Sequence, residues 1–333
     1  MTSNFLRTST HFLRTHRKLT YLFACIILLF AWLGFVDVFL EKEDAYTVAP
    51  ANTKWVRVGE NSIAYQYVAA TTSPAPTVLF IGGTTAWSGV WKTTLRDLGG
   101  KYHVYTIDLP PFGYSVVDEK YRYNLSRQAD TINGFLHQVD AKQTILVAHS
   151  YGAGPAMEAV FKEQSLYQKL IIIDGAIHVH GDKEVNALAR NVFSIPTLRY
   201  LMTSAALHVP GFVKASLQYL VYNNSSVTDT WVNIYKQPLH VDNQSRKLAA
   251  WFYDFVFENG PGLSHDAENY LGLKLPVRII WGREDNLTPL DQGLYLAKII
   301  PKNKLIVLDL VGHIPMIDNH EAYLQALQEH LTQ

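Results

Sequence analysis

The sequence is short of cysteine, of charged residues and of any excess of one sign. Cys25 is its only cysteine, which excludes an intrachain disulfide. Charged residues make up 17% of the 333, and 29 Lys and Arg are matched by 29 Asp and Glu. No basic cluster lies in the body of the chain, so the electrostatic footprint of a nucleic-acid binder is missing. Metal-ligand spacings, a phosphate-cradling P-loop and a G-x-G-x-x-G after the first strand are also missing. What is present is apolar: 48% of the residues are hydrophobic. That is enough for a sizeable core, in one large α/β domain or two small ones.

The first forty residues differ from the rest. Residues 1–18 contain Arg7, Arg14, Arg17 and Lys18 and no acid, and Leu19 to Leu40 carries a single charge, Asp37. At ~1.5 Å per residue this run reaches about 33 Å, the span of a bilayer core. It exceeds the apolar region of a cleaved signal peptide. A retained single-pass transmembrane anchor over 19–40 is therefore expected. The basic tail, 1–18, would stay cytoplasmic and acidic Glu41, Glu43 and Asp44 would lie across the membrane. The body of the protein would then be extracytoplasmic.

Residues 41–53 are polar and small and read as a linker. The stretches 55–58 and 63–68 alternate, as half-buried strands do. Thr77 to Ile81 is continuously apolar and suits a strand buried on both faces. Helical patterns near 88–99, 125–139 and from 151 to about 163 then alternate with strands at 102–107, 143–148 and 170–173. This implies right-handed crossovers and a mainly parallel sheet. The alternation defines a first core part, 54–177. It stops for a helical, aromatic-rich stretch, 178–268, and resumes over 269–333. A helical insertion between strands of a parallel sheet reads as a cap over the active-site edge.

One stretch organises the rest. Thr144 to His149 is an apolar run that ends at Ser150, and small residues follow: Gly152, Ala153, Gly154. This is the pattern of a strand turning sharply into a helix with a nucleophile at the corner, where the flanking Ala148 and Gly152 must be small. Two later strand ends carry Trp281-Gly282-Arg283-Glu284-Asp285 with Pro289, and Gly312-His313-Ile314-Pro315. A serine hydroxyl needs a neighbouring base, and the base an orienting acid.

In these motifs the chain resembles the α/β-hydrolase superfamily. Its elbow reads G-x-S-x-G (here with Ala148 first), and its later strand ends read W-G-x-x-D-x-x-x-P and G-H-x-P. The resemblance covers about residues 53–331. It implies an α/β fold with a mostly parallel central sheet flanked by helices and a helical cap after strand 6. It also implies Ser150 as nucleophile, Asp285 as acid and His313 as base. Asp174 closes the preceding strand, and in part of the family that strand end carries the acid. The family's oxyanion hole implies the N–H groups of Tyr151 and of Thr84, the latter in Gly82-Gly83-Thr84 where the family has His-Gly-x. Trp91 stands nine residues after Gly82, at the family's tryptophan position. Gly83, His149 and Trp91 are candidate pocket residues. Asp108 to Ser115 looks like the family's D-x-P-G-x-G-x-S loop and reads as structural.

The expected activity is hydrolysis of a carboxylic ester with a hydrophobic acyl chain by a carboxylesterase- or lipase-like serine hydrolase. It needs no cofactor and no metal. Amide, lactone and carbon–carbon bond hydrolysis, cofactor-free peroxidation, and a non-catalytic ligand-binding or receptor role all fit the same sequence.

Overall fold

The computed structural model describes residues 21, 25, 27–29, 31–118, 120–177, 187–257 and 262–332. Eight strands form one sheet: β1 Lys54–Val58, β2 Asn61–Val68, β3 Thr77–Ile81, β4 His103–Ile107, β5 Thr144–His149, β6 Tyr167–Ile173, β7 Val277–Gly282 and β8 Asn303–Leu308. Their spatial order is β1-β2-β4-β3-β5-β6-β7-β8. β1 and β2 are antiparallel, as are β2 and β4. The remaining neighbours, from β4 through β8, pair in parallel.

The parallel strands are apolar throughout because both faces of the sheet are covered. Leu79, Ile81, Leu146, Ala148, Leu170 and Ile172 pack into one core. Their neighbours Val78, Phe80, Ile145, Val147, Ile171 and Ile173 pack into another. Two-residue periodicity thus sends alternate side chains of one run to opposite layers. The layer helices follow local rules. In α1, Leu125–Gln138, Asn124 caps the N-terminus by accepting from Arg127 N–H. Leu125, Ala129, Ile132, Phe135 and Leu136 form its buried stripe.

The 88–99 segment, read as one helix, opens with a 3-10 turn, Ser88–Trp91, before the α-helix Lys92–Leu98. Asp108 holds that turn, accepting from both the N–H and the hydroxyl of Ser88, and it also accepts from Tyr114 N–H. Burial outweighs these donors and pushes the Asp108 carboxyl up to about 6.

Between β6 and β7 the described chain is helical: α2 Ala187–Ser194, α3 Pro196–His208, α4 Phe212–Leu220, α5 Asp229–Lys236, α6 Gln244–Phe257 and α7 Ala267–Leu271.

The span expected to cross a membrane, 19–40, lies partly outside the described residues. Among the described residues no helix is long and apolar enough to cross a membrane. Its final stretch docks on the cap: Leu33 and Val36 pack with Tyr200 of α3, and Trp32 Nε1 donates to Ser204 Oγ at 3.1 Å. The stretch 41–53, read as a linker, also folds against the body. Asp44 caps a single helical turn, Ala45–Val48, and Ala45 is buried. Glu41 is buried too. It accepts from Ser245 N–H at 2.8 Å and from the Ser245 hydroxyl, and pairs with His208 at 2.8 Å. Polar composition suggested solvent here, but a buried carboxylate is held wherever donors converge on it.

Candidate active site

Strand β5 ends at His149, and Ser150 opens a 3-10 turn, Ser150–Gly152, that leads into the helix Ala153–Lys162. Ser150 has φ +53°, a left-handed conformation that strains a residue bearing Cβ and recurs where strain serves function. Gly152 is required there, since a Cβ would come 2.5 Å from the Gly82 carbonyl. Ala148 occupies the family's first glycine position within the buried strand. Its extra methyl is absorbed in the core packed below the elbow.

Three side chains from three loops converge. The Ser150 hydroxyl donates to His313 Nε2 at 2.7 Å, and His313 Nδ1 donates to Asp285 Oδ2 at 2.7 Å. All three residues are buried. Asp285 Oδ1 accepts from the N–H groups of Leu287 and Thr288 at 2.8 and 2.9 Å. Burial acts to raise the Asp285 carboxyl, but the His313 hydrogen bond and charge, with the Thr288 donors, hold it below its usual value. The order serine, imidazole, carboxylate fixes one tautomer: Nδ1 carries the proton and Nε2 is free to accept one from Ser150.

Thr288 is the member of this cluster that sequence reading missed. Its hydroxyl donates to Asp285 Oδ2 at 2.6 Å and lies 3.1 Å from His313 Nδ1. The signal was present in the three-residue spacing Asp285 to Thr288, at which an aspartate side chain commonly bonds the backbone ahead of it. A second missed residue is Asp318, which accepts from Gly312 N–H at 2.7 Å and from Tyr222 and Asn223 N–H at 2.6 and 2.8 Å. With His313 N–H donating to Leu220 O at 2.7 Å, it ties the base loop to the cap.

Above Ser150 lies a cavity of about 470 Å³ lined by Gly83, Thr84, His149, Tyr151 and His313 from the core, and by cap side chains including Phe212, Leu217, Trp251 and Phe255. Of the described side chains that line it, none is a lysine, arginine, aspartate or glutamate. Gly83 approaches the nucleophile closely: a Cβ there would sit 2.7 Å from Ser150 Cβ and 3.1 Å from Ser150 Oγ. His149 is buried, and its Nε2 must donate to the His313 carbonyl, 2.8 Å away, because a carbonyl only accepts. Burial, then the charge of His313, push it down to about 3, so it is neutral.

Trp91, expected in the pocket, is corrected by the structure. It is fully buried against Phe80 and stands edge-on behind His149, with ring centroids 6.5 Å apart. The 3-10 turn points this side chain down to the sheet, so it buttresses a pocket residue without lining the cavity. The loop read as structural, 108–115, keeps that character around Asp108, with Gly113 at φ +64°.

Among the described residues no group of His, Cys, Asp and Glu could hold a metal ion.

Residues 76–320 match the family profile described as alpha/beta hydrolase fold. An uncharacterized hydrolase, YugF, of Bacillus subtilis (strain 168) is 24% identical over 222 residues, covering 66% of this chain and 76% of its own. The 2-hydroxy-6-oxononadienedioate/2-hydroxy-6-oxononatrienedioate hydrolase of Burkholderia vietnamiensis (strain G4 / LMG 22486) is 25% identical, covering 84% of this chain and 96% of its own. Among solved structures, a membrane phospholipase A described as a bacterial virulence factor superposes with TM-score 0.65 at 21% identity, covering 99% of this chain and 98% of its own. The 2-hydroxy-6-oxo-6-phenylhexa-2,4-dienoate hydrolase of Rhodococcus sp. strain RHA1 superposes with TM-score 0.68 at 20% identity, covering 84% of this chain and 98% of its own.

Proposed function

The chain belongs to the α/β-hydrolase fold family, and within it we propose a serine hydrolase that cleaves an uncharged carboxylic ester with a hydrophobic acyl chain. One observation carries the choice of substrate: the cavity above Ser150 is apolar and, among the described residues, offers no lysine or arginine. Dienoate and dienedioate substrates, named for the relatives, bring carboxylates into the site. A carboxylate taken out of water needs a cationic or multiply hydrogen-bonding partner. A long acyl chain needs only the aromatic and aliphatic surface that is there. The likeness to a membrane phospholipase A, which runs over nearly the whole chain, supports the lipid-ester reading. Attachment to a membrane through 19–40, with the body on the extracytoplasmic side, belongs to the same proposal. A reporter fused after Gln333 and probed from each side of the membrane tests it.

In this mechanism Ser150 Oγ attacks the ester carbonyl as its proton passes to His313 Nε2. The carbonyl oxygen becomes an anion facing the N–H groups of Tyr151 and Thr84. Collapse of the tetrahedral species expels the alcohol, which takes the proton from His313. Water, deprotonated by His313, then releases the acid and restores Ser150. Asp285 stays ionised throughout and stabilises the imidazolium.

The test is turnover of p-nitrophenyl esters of increasing chain length and of a monoacylglycerol, beside a 2-hydroxy-6-oxo-dienoate, with Ser150→Ala as control. The expected result is fastest turnover of medium or long chains and none in the variant. Faster cleavage of the dienoate would replace this reading with carbon–carbon bond hydrolysis, which the relatives' activities favour. No turnover and no labelling by a fluorophosphonate would favour a ligand-binding role.

A further inference from the structure

Two different packing clusters bound the cavity above Ser150. Leu207, Leu239, Trp251 and Phe255 line it from the cluster that also holds Tyr151. The polar atoms on that wall, Trp251 Nε1 and the Tyr151 hydroxyl, are sealed away from any open space. Ala86, Leu217, Tyr235 and Ile314 line it from the other cluster. This second wall adjoins the base: Ile314 follows His313, and Leu220 O at the end of α4 accepts from His313 N–H.

Tyr235 sets the second wall apart. It lies on α5, which is tied to the loop after β3 by Trp87 Nε1 donating to Ile234 O at 2.7 Å. The residue is only 7% exposed. Its hydroxyl makes no hydrogen bond among the described residues, yet unlike that of Tyr151 it is not sealed. The open space that Tyr235 borders is the cavity. Burial raises the phenol above its usual value, so it is neutral and able to donate as well as accept. Most other hydroxyls around the cavity are committed or near solvent. That of Thr288 donates to Asp285 and that of Thr85 to Thr84 O, and Thr84 is exposed. Ser216 of α4 is half-buried.

The chemistry assigns the walls. The departing alcohol takes its proton from His313 Nε2, so its oxygen must leave against the base, on the wall of Ile314 and Tyr235. The acyl chain is left the aromatic wall. A few polar groups in an apolar pocket fix a ligand's orientation, and a desolvated hydroxyl without a partner favours a ligand that supplies one. We propose that Tyr235 is the hydrogen-bonding end of a leaving-group subsite, and that the substrate is an acyl ester of an uncharged polyol such as glycerol, whose free hydroxyl pairs with the phenol. The proposal rests on the ester reading above. A simple alkyl alcohol would leave the phenol unpaired.

The experiment compares kcat/KM for 1-decanoylglycerol and methyl decanoate in the wild type, Tyr235→Phe and Ser216→Ala. Both esters carry one acyl chain, so their ratio isolates the alcohol. Tyr235→Phe is expected to lower the ratio of glycerol to methyl ester by about three- to tenfold, the loss of one hydrogen bond between uncharged groups. An unchanged ratio would overturn the proposal. A ratio that falls in Ser216→Ala and not in Tyr235→Phe would overturn it by moving the subsite to α4. Methyl 3-hydroxydecanoate carries its hydroxyl on the acyl side. A selective loss with that ester would overturn the assignment to the leaving group. The urea midpoint of Tyr235→Phe should not fall, since no protein partner is lost; a lower midpoint would show a structural hydroxyl and overturn the proposal. A wild type that turns over no ester refutes the ester reading instead. Calorimetry with the uncleavable ether 1-O-decylglycerol, beside decyl methyl ether, then tests Tyr235 without turnover. Tyr235→Phe should weaken the glycerol ether alone, and equal affinities in variant and wild type would overturn the subsite.

Discussion

His149 and His313 are joined through the backbone: His149 Nε2–H donates to the His313 carbonyl at 2.8 Å, with ring centroids 5.2 Å apart. The residue before the nucleophile thereby holds the loop that carries the base. Elbow and base loop come from β5 and from the end of β8, with β6 and β7 between those strands. A hydrogen bond across that gap fixes the Ser150–His313 distance more directly than the sheet can.

The His149 ring ties stability to pH. Its ordinary value near 6.5 is pushed down to about 3 in the fold, so the unfolded chain binds the proton more readily. The contribution is fully present above pH ~6.5 and is lost as pH falls toward ~3, at up to about 1.4 kcal/mol per unit. His149→Gln should flatten this dependence, measured as the urea midpoint from neutral to acid pH. A wild-type slope retained in the variant would assign the proton uptake elsewhere.

Asp285→Asn should slow turnover by about 10³–10⁴ while leaving the melting temperature little changed. An amide at this position can present its N–H₂ to His313 Nδ1, where a carboxylate accepts, and so favours the wrong tautomer. Comparison of kcat for Asp285→Asn and Asp174→Asn separates the two carboxyls: a larger loss in Asp174→Asn would make Asp174 the acid that orients His313.

Gly83→Ala tests the approach of the loop after β3 to the nucleophile. Its Cβ would lie 2.7 Å from Ser150 Cβ and 3.1 Å from His149 Nδ1, and both neighbours are held in place by hydrogen bonds. The loop must move away, taking Thr84 N–H with it. Loss of an aligned oxyanion donor costs about 10²–10³ in rate, so kcat should fall by about that much with KM little affected. An unaltered kcat would remove Thr84 from the proposed oxyanion hole.

Glu41→Ala should destabilise the protein by about 3 kcal/mol, because it leaves Ser245 N–H and His208 without their buried partner. His208 closes α3, and Ser245 lies in the first turn of α6, the helix that carries Trp251 and Phe255 into the cavity. A rise in KM for long-chain substrates is therefore expected alongside the drop in chemical-denaturation midpoint. A stable variant with unchanged kinetics would show that the segment before β1 does not brace the cap.

The sheet was legible in the sequence because its cause is local. Strands buried on both faces must be continuously apolar, and Val78 to Ile81, Ile145 to Ala148 and Leu170 to Ile173 are; helices between them show stripes such as Leu125, Ala129, Ile132 and Leu136. Ser150, Asp285 and His313 were legible for a related reason. Each follows a parallel strand, and parallel strands deliver their carboxyl ends to one edge. Trp91 was misplaced because a nine-residue spacing does not state which way a 3-10 turn aims its side chain. The stretch 41–53 looked like linker because composition is blind to a partner such as Ser245, 204 positions after Glu41.

By itself, then, the sequence determined the order of strands and helices, the small residues around Ser150 and the chemistry available at each strand end, since all of these depend on neighbours in the chain. Only the tertiary structure decided that Thr288 completes the surroundings of Asp285, that His149 braces the base loop, and that the cavity is apolar and lacks a cation among its described residues. Those properties arise where loops far apart in sequence share one desolvated volume, and in that volume the protonation and partner of each polar group depend on all the others.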